Sequence, residues 1–338
     1  MVDISVIIPF CNELPQVAFT VQAMIEELDG LCKYEIILVD NMSHENITVK
    51  AGEREYPAFS RNYFYNGATG QRMNTWFFRK GIVKHYIYDE KQGHWNAKNH
   101  GIEKSSGEYL FFLDAHCVMK RDSMKYLWEF LRTTTEKVGG AHAYINYMLD
   151  SRCLEYRPER KTLGYQFCSH QNDIIQSNGR RIPKMKTKPY QVCVMSTCGM
   201  MIPRKVIEEL GPWNKELGIY GGGESYMNWK QATCGYGQWI VPQAWCWHFA
   251  DKRGYSWNYR DFVRNSFIAA YCIGGEEYLT EQADYRIKHK KGAPSVIEAL
   301  VDDVREKCRE DMEFIKSKQV VTFDEYMDYW EKHPGIWK

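Results

Sequence analysis

The sequence predicts an α/β fold, a mostly parallel sheet flanked by helices and followed by a C-terminal helical extension. Three observations predict it. Short all-apolar runs at Ile4 to Phe10, Tyr34 to Asp40 and Tyr109 to Asp114 read as strands buried on both faces, as parallel sheets require. Between the first two, Val17, Val21, Met24, Ile25 and Leu28 mark one face of a helix over Leu14 to Leu28. Strand, helix and strand in succession is the unit from which parallel sheets are built. Past Tyr255, apolar residues recur at helical spacing over Asp261 to Cys272 and Ser295 to Ser317. Thr322 to Trp330 reads as a shorter helix with Asp324 and Glu325 near its start.

In such a sheet, ligands sit beyond the carboxyl ends of the strands, and Asp40 and Asp114 stand at two of those ends. Leu113 to Cys117 reads Leu-Asp-Ala-His-Cys, which places Asp114 and His116 on the same side of an extended chain. A carboxylate with an imidazole suits Mn²⁺ or another first-row divalent ion better than Ca²⁺. Such an ion neutralises a diphosphate and stabilises it as a leaving group. Taken alone, the pair is a weak signal, and a surface carboxylate beside a hydrogen-bonded histidine is its default reading.

Composition narrows the function classes. The 338 residues hold 44 Lys and Arg against 43 Asp and Glu, so no bulk charge advertises a nucleic-acid or membrane partner. With 44% hydrophobic and 26% charged residues, the chain is a folded protein and not a disordered one. Its 11 cysteines are odd in number and form no Cys-x-x-Cys pair, which predicts scattered free thiols in a reducing compartment. The N-terminus lacks a basic leader and its apolar run is too short for a signal peptide. No stretch approaches the ~18 apolar residues that cross a bilayer, so the expected location is cytoplasmic, without membrane contact. Near-neutrality conceals a basic stretch. No carboxylate occurs between Asp173 and Glu208, whereas Arg180, Arg181, Lys184, Lys186, Lys188, Arg204 and Lys205 do. It reads as a solvated loop or as a surface for an anionic donor or acceptor. With the Arg286 to Lys291 run, segment 180–188 keeps a nucleic-acid acceptor open, one whose binding would fall steeply with salt.

The order of motifs carries a resemblance. Gly93-His94-Trp95-Asn96-Ala97-Lys98-Asn99-His100-Gly101 precedes Gly107-Glu108-Tyr109, and an apolar run then ends in Asp114-Ala115-His116. This resembles the nucleotide-sugar-binding half of a GT-A glycosyltransferase. Ser5 to Glu13 and Glu35 to Ser43 are similar to the first two motifs of the family 2 glycosyltransferases. The Asp-x-His wording is closer to the polypeptide N-acetylgalactosaminyltransferases. Downstream, Cys198 to Ile202, Tyr220 to Ser225 and Trp245 to Phe249 resemble the acceptor-side strand, the Gly-Gly-Glu segment and the third-ligand segment of that fold.

The resemblance implies roles. Asp40 would hold the base or ribose of a nucleoside-diphosphate sugar, a UDP-sugar by preference, in a pocket shaped by Pro9, Phe10 and Glu13. Asn96 and Lys98 would lie over the donor, which Asp114 also meets. Asp114, His116 and His248 would hold Mn²⁺ or Mg²⁺. Glu224 would serve the acceptor hydroxyl, three glycines before it allowing a close backbone approach. Family 2 members invert the anomeric centre and the Asp-x-His relatives retain it, so the outcome stays open. Glu224-Ser225 departs from the paired Glu-Asp of family 2, and neither a lectin module nor an anchor is expected. The implied layout is a GT-A domain over 1–255, with a nucleotide-sugar half over 1–120 and an acceptor half over 121–255, then helices over 256–338.

Aromatic residues gather around these positions. From Trp213 to Tyr259 there are 12, where the chain-wide 14% would give about 7. Most must pack the core, but Trp245 or Trp247 is expected near the ligand as a platform for a sugar ring or base. The leading expectation is a metal-dependent transferase that moves a sugar to a hydroxyl of a glycan, a peptide or a modified nucleic-acid base. The alternatives are a non-catalytic carbohydrate- or nucleic-acid-binding protein on the same fold, and a nucleotidyltransferase. The last would carry a Gly-rich basic loop near its start, whereas residues 9–20 contain no Gly, Lys or Arg.

Overall fold

The computed structural model describes residues 2–13, 16–43, 48–51, 54–57, 81–148, 187–249, 256–289 and 291–332. Strand β1 (Ile4–Phe10), helix α1 (Gln16–Leu28) and strand β2 (Tyr34–Asp40) open the chain as the apolar pattern predicts. Every residue of β1 is buried, and α1 lays Val17, Val21, Met24, Ile25 and Leu28 against the sheet. Strands β3 (Thr48–Ala51) and β4 (Arg54–Pro57) form a separate antiparallel pair. After β5 (Val83–Ile87) come α2 (His94–Glu103), β6 (Tyr109–Phe112), β7 (Cys117–Met119) and α3 (Ser123–Thr133). The predicted run to Asp114 ends early as a strand, because β10 pairs β6 only as far as Phe112; Leu113 still donates its amide to the Ile7 carbonyl. Asp114 therefore lies in the turn just past the strand.

The second half contributes β8 (Val138–Met148), β9 (Tyr190–Val192), β10 (Met200–Pro203), α4 (Arg204–Leu210), α5 (Gly223–Thr233) and β11 (Gly237–Phe249). One sheet runs in the order β5-β2-β1-β6-β10-β8-β11-β7, with β9 also paired to β11. Its β5-β2-β1-β6 portion is wholly parallel, and β10 enters antiparallel between β6 and β8. The parallel strands thus end together on one rim, which carries Phe10, Asp40 and Asp114.

Helices α6 (Tyr259–Lys288), α7 (Pro294–Lys318) and α8 (Phe323–Lys332) close the chain. Helix α6 is interrupted at Gly275, whose φ of 77° is a left-handed value that other residues resist. A continuous buried cluster runs from Ile7 and Trp95 through Trp213 and Trp229 to Leu300 and Trp330, so these helices share a core with the sheet. None of the described helices is long and apolar enough to cross a membrane.

Of the two basic runs, the structure describes Lys188, Arg286, Lys288 and Lys291, and leaves Lys188 and Lys288 exposed. Arg286 is 1% exposed. Its guanidinium donates to the Tyr259 hydroxyl and the Ser266 hydroxyl and packs on the Phe267 ring, so it faces the helix core and is withdrawn from any external phosphate. Arg180, Arg181, Lys184 and Lys186, like Lys290, lie outside the described residues.

Candidate functional site

The rim is built by three loops that one residue ties together through its side chain and its backbone. Asn41, buried just past β2, donates to the carbonyls of Tyr88 (3.1 Å) and Lys91 (2.9 Å) and accepts from the Gly93 amide (2.7 Å). Its own amide donates to the Phe10 carbonyl. Asp40 accepts from the Ser43 amide at 3.0 Å, and Phe10 stacks on His85 with centroids 6.0 Å apart. Pro9 lies opposite Val39 in the β1–β2 register.

The carboxylate and the two imidazoles meet where β6, β7 and β11 approach. Phe249 donates its amide to the His116 carbonyl, and His248 sits opposite Cys117 in the antiparallel β7–β11 ladder. Nε2 of His248 stands 3.2 Å from Nε2 of His116 and 3.3 Å from Oδ2 of Asp114. His248 Nε2 thus stands between the His116 ring nitrogen on one side and the Asp114 carboxylate on the other, and Asp114 and His248 also lie within 4.8 Å of the Cys198 sulfur. A carboxylate with two imidazoles fits a first-row divalent ion. Behind it, Glu13 Oε1 is 2.6 Å from Nδ1 of His116, the carboxylate–histidine arrangement that orients a metal-bound ring. Burial works to lower the His116 pKa, but the hydrogen bond and charge of Glu13, with Asp114 beyond, raise it above its ordinary value. Burial opposes ionisation of Asp114 too. The hydrogen bond to His248 and the charges of Lys98, His116 and His248 overcome it and hold Asp114 well below the usual carboxylate range.

Two supports were not foreseen. Sequence reading gives Glu13 to the donor pocket, whereas its carboxylate is in contact with His116. Thr20, on the sheet side of α1, donates to the Ala115 carbonyl (2.8 Å) and accepts from the Cys117 amide (3.2 Å), clamping the Asp-x-His turn. A lone threonine on a helix face gives no sequence signal of this.

Other expected residues occupy different places. Lys98 is 1% exposed; its ammonium donates to Thr197 (2.9 Å) between the rings of Trp95 and Trp213. Asn96 is 6% exposed and donates to the Leu217 carbonyl (2.9 Å). Both bind helix α2 to the second half of the chain instead of opening onto the rim. Along β11, Trp245 and Trp247 alternate with Cys246 and His248, so the indoles project from the face opposite His248. Trp245 donates to the Pro242 carbonyl and packs with Tyr144 and the Lys120 ammonium. Glu224 is half-buried in the first turn of α5, where the helix dipole favours a carboxylate. The glycines before it are required sterically: a Cβ at Gly222 would strike the Asn265 backbone, and one at Gly223 the Trp95 ring. The cysteines are not all scattered either, because Cys117, Cys198 and Cys246 converge beside Asp114 and His248.

With that geometry in place, comparison with known proteins is informative. Residues 68–211 match the glycosyl transferase family 2 model. GalNAc-T7, solved with UDP, GalNAc and Mn²⁺, superposes with a TM-score of 0.71 at 18% identity over 97% of this chain and 56% of its own. The fold is GT-A. Glycosyltransferase AglE of Haloferax volcanii is 24% identical over 233 residues, 69% of this chain and 62% of the relative. Polypeptide N-acetylgalactosaminyltransferase 5 of Caenorhabditis elegans is 25% identical over 323 residues, 91% of this chain and 46% of the relative. The chain thus spans between about half and three-fifths of the length of these relatives, and it resembles the polypeptide N-acetylgalactosaminyltransferases along most of its own.

Proposed function

We propose that the chain is a metal-dependent glycosyltransferase that moves a sugar from a nucleoside-diphosphate donor, a UDP-sugar by preference, to an acceptor hydroxyl. The observation that carries this reading is the placement of His248 between Asp114 and His116, within 3.3 Å of each, at the rim where the parallel strands end. Mn²⁺ is the fitting ion for that oxygen–nitrogen set, and when bound it neutralises the diphosphate of the donor. The Mn²⁺ and UDP of the GalNAc-T7 structure support the same choice.

The roles of the chain's own residues follow from their neighbours. Asp40, with Pro9 and Phe10, forms the nucleoside side of the rim. Glu13 orients His116, and the hydrogen bond with His248, backed by the buried charge of Lys98, keeps Asp114 ionised. Asn96 fixes α2 to the Leu217 turn from which Glu224 follows. Glu224 would present its carboxylate to the acceptor hydroxyl, to take its proton or to orient it. The helices of 256–338 act as a buttress for this second half, from the shared core.

A thermal-shift panel of nucleotide sugars with and without Mn²⁺ tests the reading, since a ligand that binds only the native state raises the melting temperature. A UDP-sugar that stabilises only with Mn²⁺, and is slowly hydrolysed, is the expected result. No stabilisation and no hydrolysis by any donor with any divalent metal would overturn it in favour of a non-catalytic binding protein.

A further inference from the structure

We propose that Cys117, Cys198 and Cys246 form a second metal site, a three-thiolate cluster that takes a soft divalent ion of the zinc–cadmium class. The three sulfurs lie within 4.8 Å of one another, and those of Cys117 and Cys198 are 3.4 Å apart. Two sulfurs bound to a common ion at ~2.3 Å are separated by about 3.8 Å in tetrahedral and about 4.0 Å in trigonal geometry. The 3.4 Å pair lies just below those values and the 4.8 Å limit on the others just above them, so the three sulfurs are within the range that an ion would draw together.

The cluster is assembled from three separate segments. Cys117 begins β7, Cys246 lies two residues before His248 on β11, and Cys198 leads into β10. All three side chains are at most 2% exposed. Gly199 accommodates the approach: its φ is +70°, and a Cβ there would come within 3.3 Å of the Ala143 Cβ and 3.6 Å of the Cys246 Cβ. An ion has a way in, because the sulfur of Cys198 is also within 4.8 Å of the Asp114 carboxylate and a His248 nitrogen. Asp114 is 27% exposed and opens that corner to water.

Ligand softness sorts the two sites. Thiolates select zinc-like ions, while the carboxylate–imidazole corner suits Mn²⁺. Charge settles the valence. On binding, the three thiols release three protons to solvent; a divalent ion leaves one net negative charge in the interior and a monovalent ion leaves two. Burying the second is the costlier outcome. Nothing in this depends on sugar transfer being the reaction.

The full-length chain, reduced and stripped of metal, is titrated with Cd²⁺ while the ultraviolet thiolate-to-cadmium charge-transfer absorption is followed. The expected result is a band that saturates at one ion per chain, is reversed by Zn²⁺ and is indifferent to excess Mn²⁺. X-ray absorption of the wild-type complex should then count three sulfur neighbours, a readout that needs no variant to fold. Cys117→Ser, Cys198→Ser and Cys246→Ser should each weaken Cd²⁺ binding at least tenfold, whereas Asp114→Asn and Cys272→Ser should leave the band intact. No band in the wild type overturns the proposal, and the three thiols are then core packing. So does a band that survives all three cysteine replacements, or one lost with Asp114→Asn.

Discussion

At the rim, Asp114, His116, His248 and Glu13 bring together oxygen and nitrogen donors beside water. Close by, Cys117 directly after His116, Cys246 two residues before His248 and Cys198 from the segment that leads into β10 bring together sulfur in the dry interior, and His142 of β8 lies opposite Met200 of β10. The polypeptide is shared; the chemistry is opposite. His116 closes the turn and Cys117 opens β7, so one step carries the chain from the rim to the interior, while Cys246 and His248 share a face of β11 and Cys198 borders both groups. The two buried imidazoles make the contrast quantitative. His116, beside Glu13, is raised above its ordinary pKa. His142 is fully buried and burial pushes it down to about 4, against the hydrogen bonds with Gln238 and the Ser196 carbonyl. Fixed charge, more than burial, decides which way an interior histidine titrates.

The sharpest way to break this comparison is Asp114→Ala. If the rim exists for chemistry, Mn²⁺-dependent donor turnover should fall about 10²–10³-fold, the loss expected when several kcal/mol of charge stabilisation is removed. The melting temperature should fall modestly, because the neighbours that hold Asp114 ionised also stabilise the fold. A large fall in stability with unchanged turnover per folded molecule would erase the distinction between rim and interior.

His142 tests the interior. Its native pKa of about 4 lies below the ordinary 6.5, so between these values the unfolded chain holds a proton that the native chain refuses. Stability should therefore be full above pH 6.5 and fall by about 3 kcal/mol as pH drops towards 4. Urea midpoints measured across that window should show this loss in the wild type and a flatter profile in His142→Asn. Equal profiles would mean that His142 protonates freely.

Glu13→Gln preserves shape and removes only the charge behind His116. The expected effect is a 10–100-fold weaker Mn²⁺ affinity, read by titrating metal into the donor-hydrolysis assay. Unaltered affinity would detach Glu13 from the site. Smallest is Gly199→Ala, which forces a side chain into a left-handed backbone beside Cys246. It should cost about 1–2 kcal/mol by chemical denaturation while leaving Mn²⁺ affinity alone. A change in Mn²⁺ affinity would show that rim and interior are mechanically one.

Much of the frame could be read from residues. Strands β1 and β2 occupy the predicted positions because strands covered on both sides carry unbroken apolar runs. Asp114 and His116 are legible as a pair because they are two residues apart. His248 is not, lying 132 residues from His116, and only the ordered resemblance reaches it. The clustering of the cysteines was illegible for a physical reason: it arises from the pairing of β7 with β11 and the entry of β10, and no single segment records that. The indoles are a different case. Their odd positions against the even Cys246 and His248 place them on the other face by strand periodicity alone, so that signal was present. Lys98 and Asn96 have the residue types of ligand-binding groups, but long polar side chains on a buried helix face satisfy themselves on the nearest neighbours.

Asn41 has a consequence of its own. One carboxamide, 4% exposed, grips the carbonyls that follow β5 and the amide that begins α2, while its backbone grips the end of β1. Three walls of the rim are thereby geared to a single hub. They cannot drift independently, and a ligand that displaced one wall would have to turn all three. If the proposed donor binds here, the breadth of nucleosides it can carry would be governed by the stiffness of this hub as well as by the residues that touch the base.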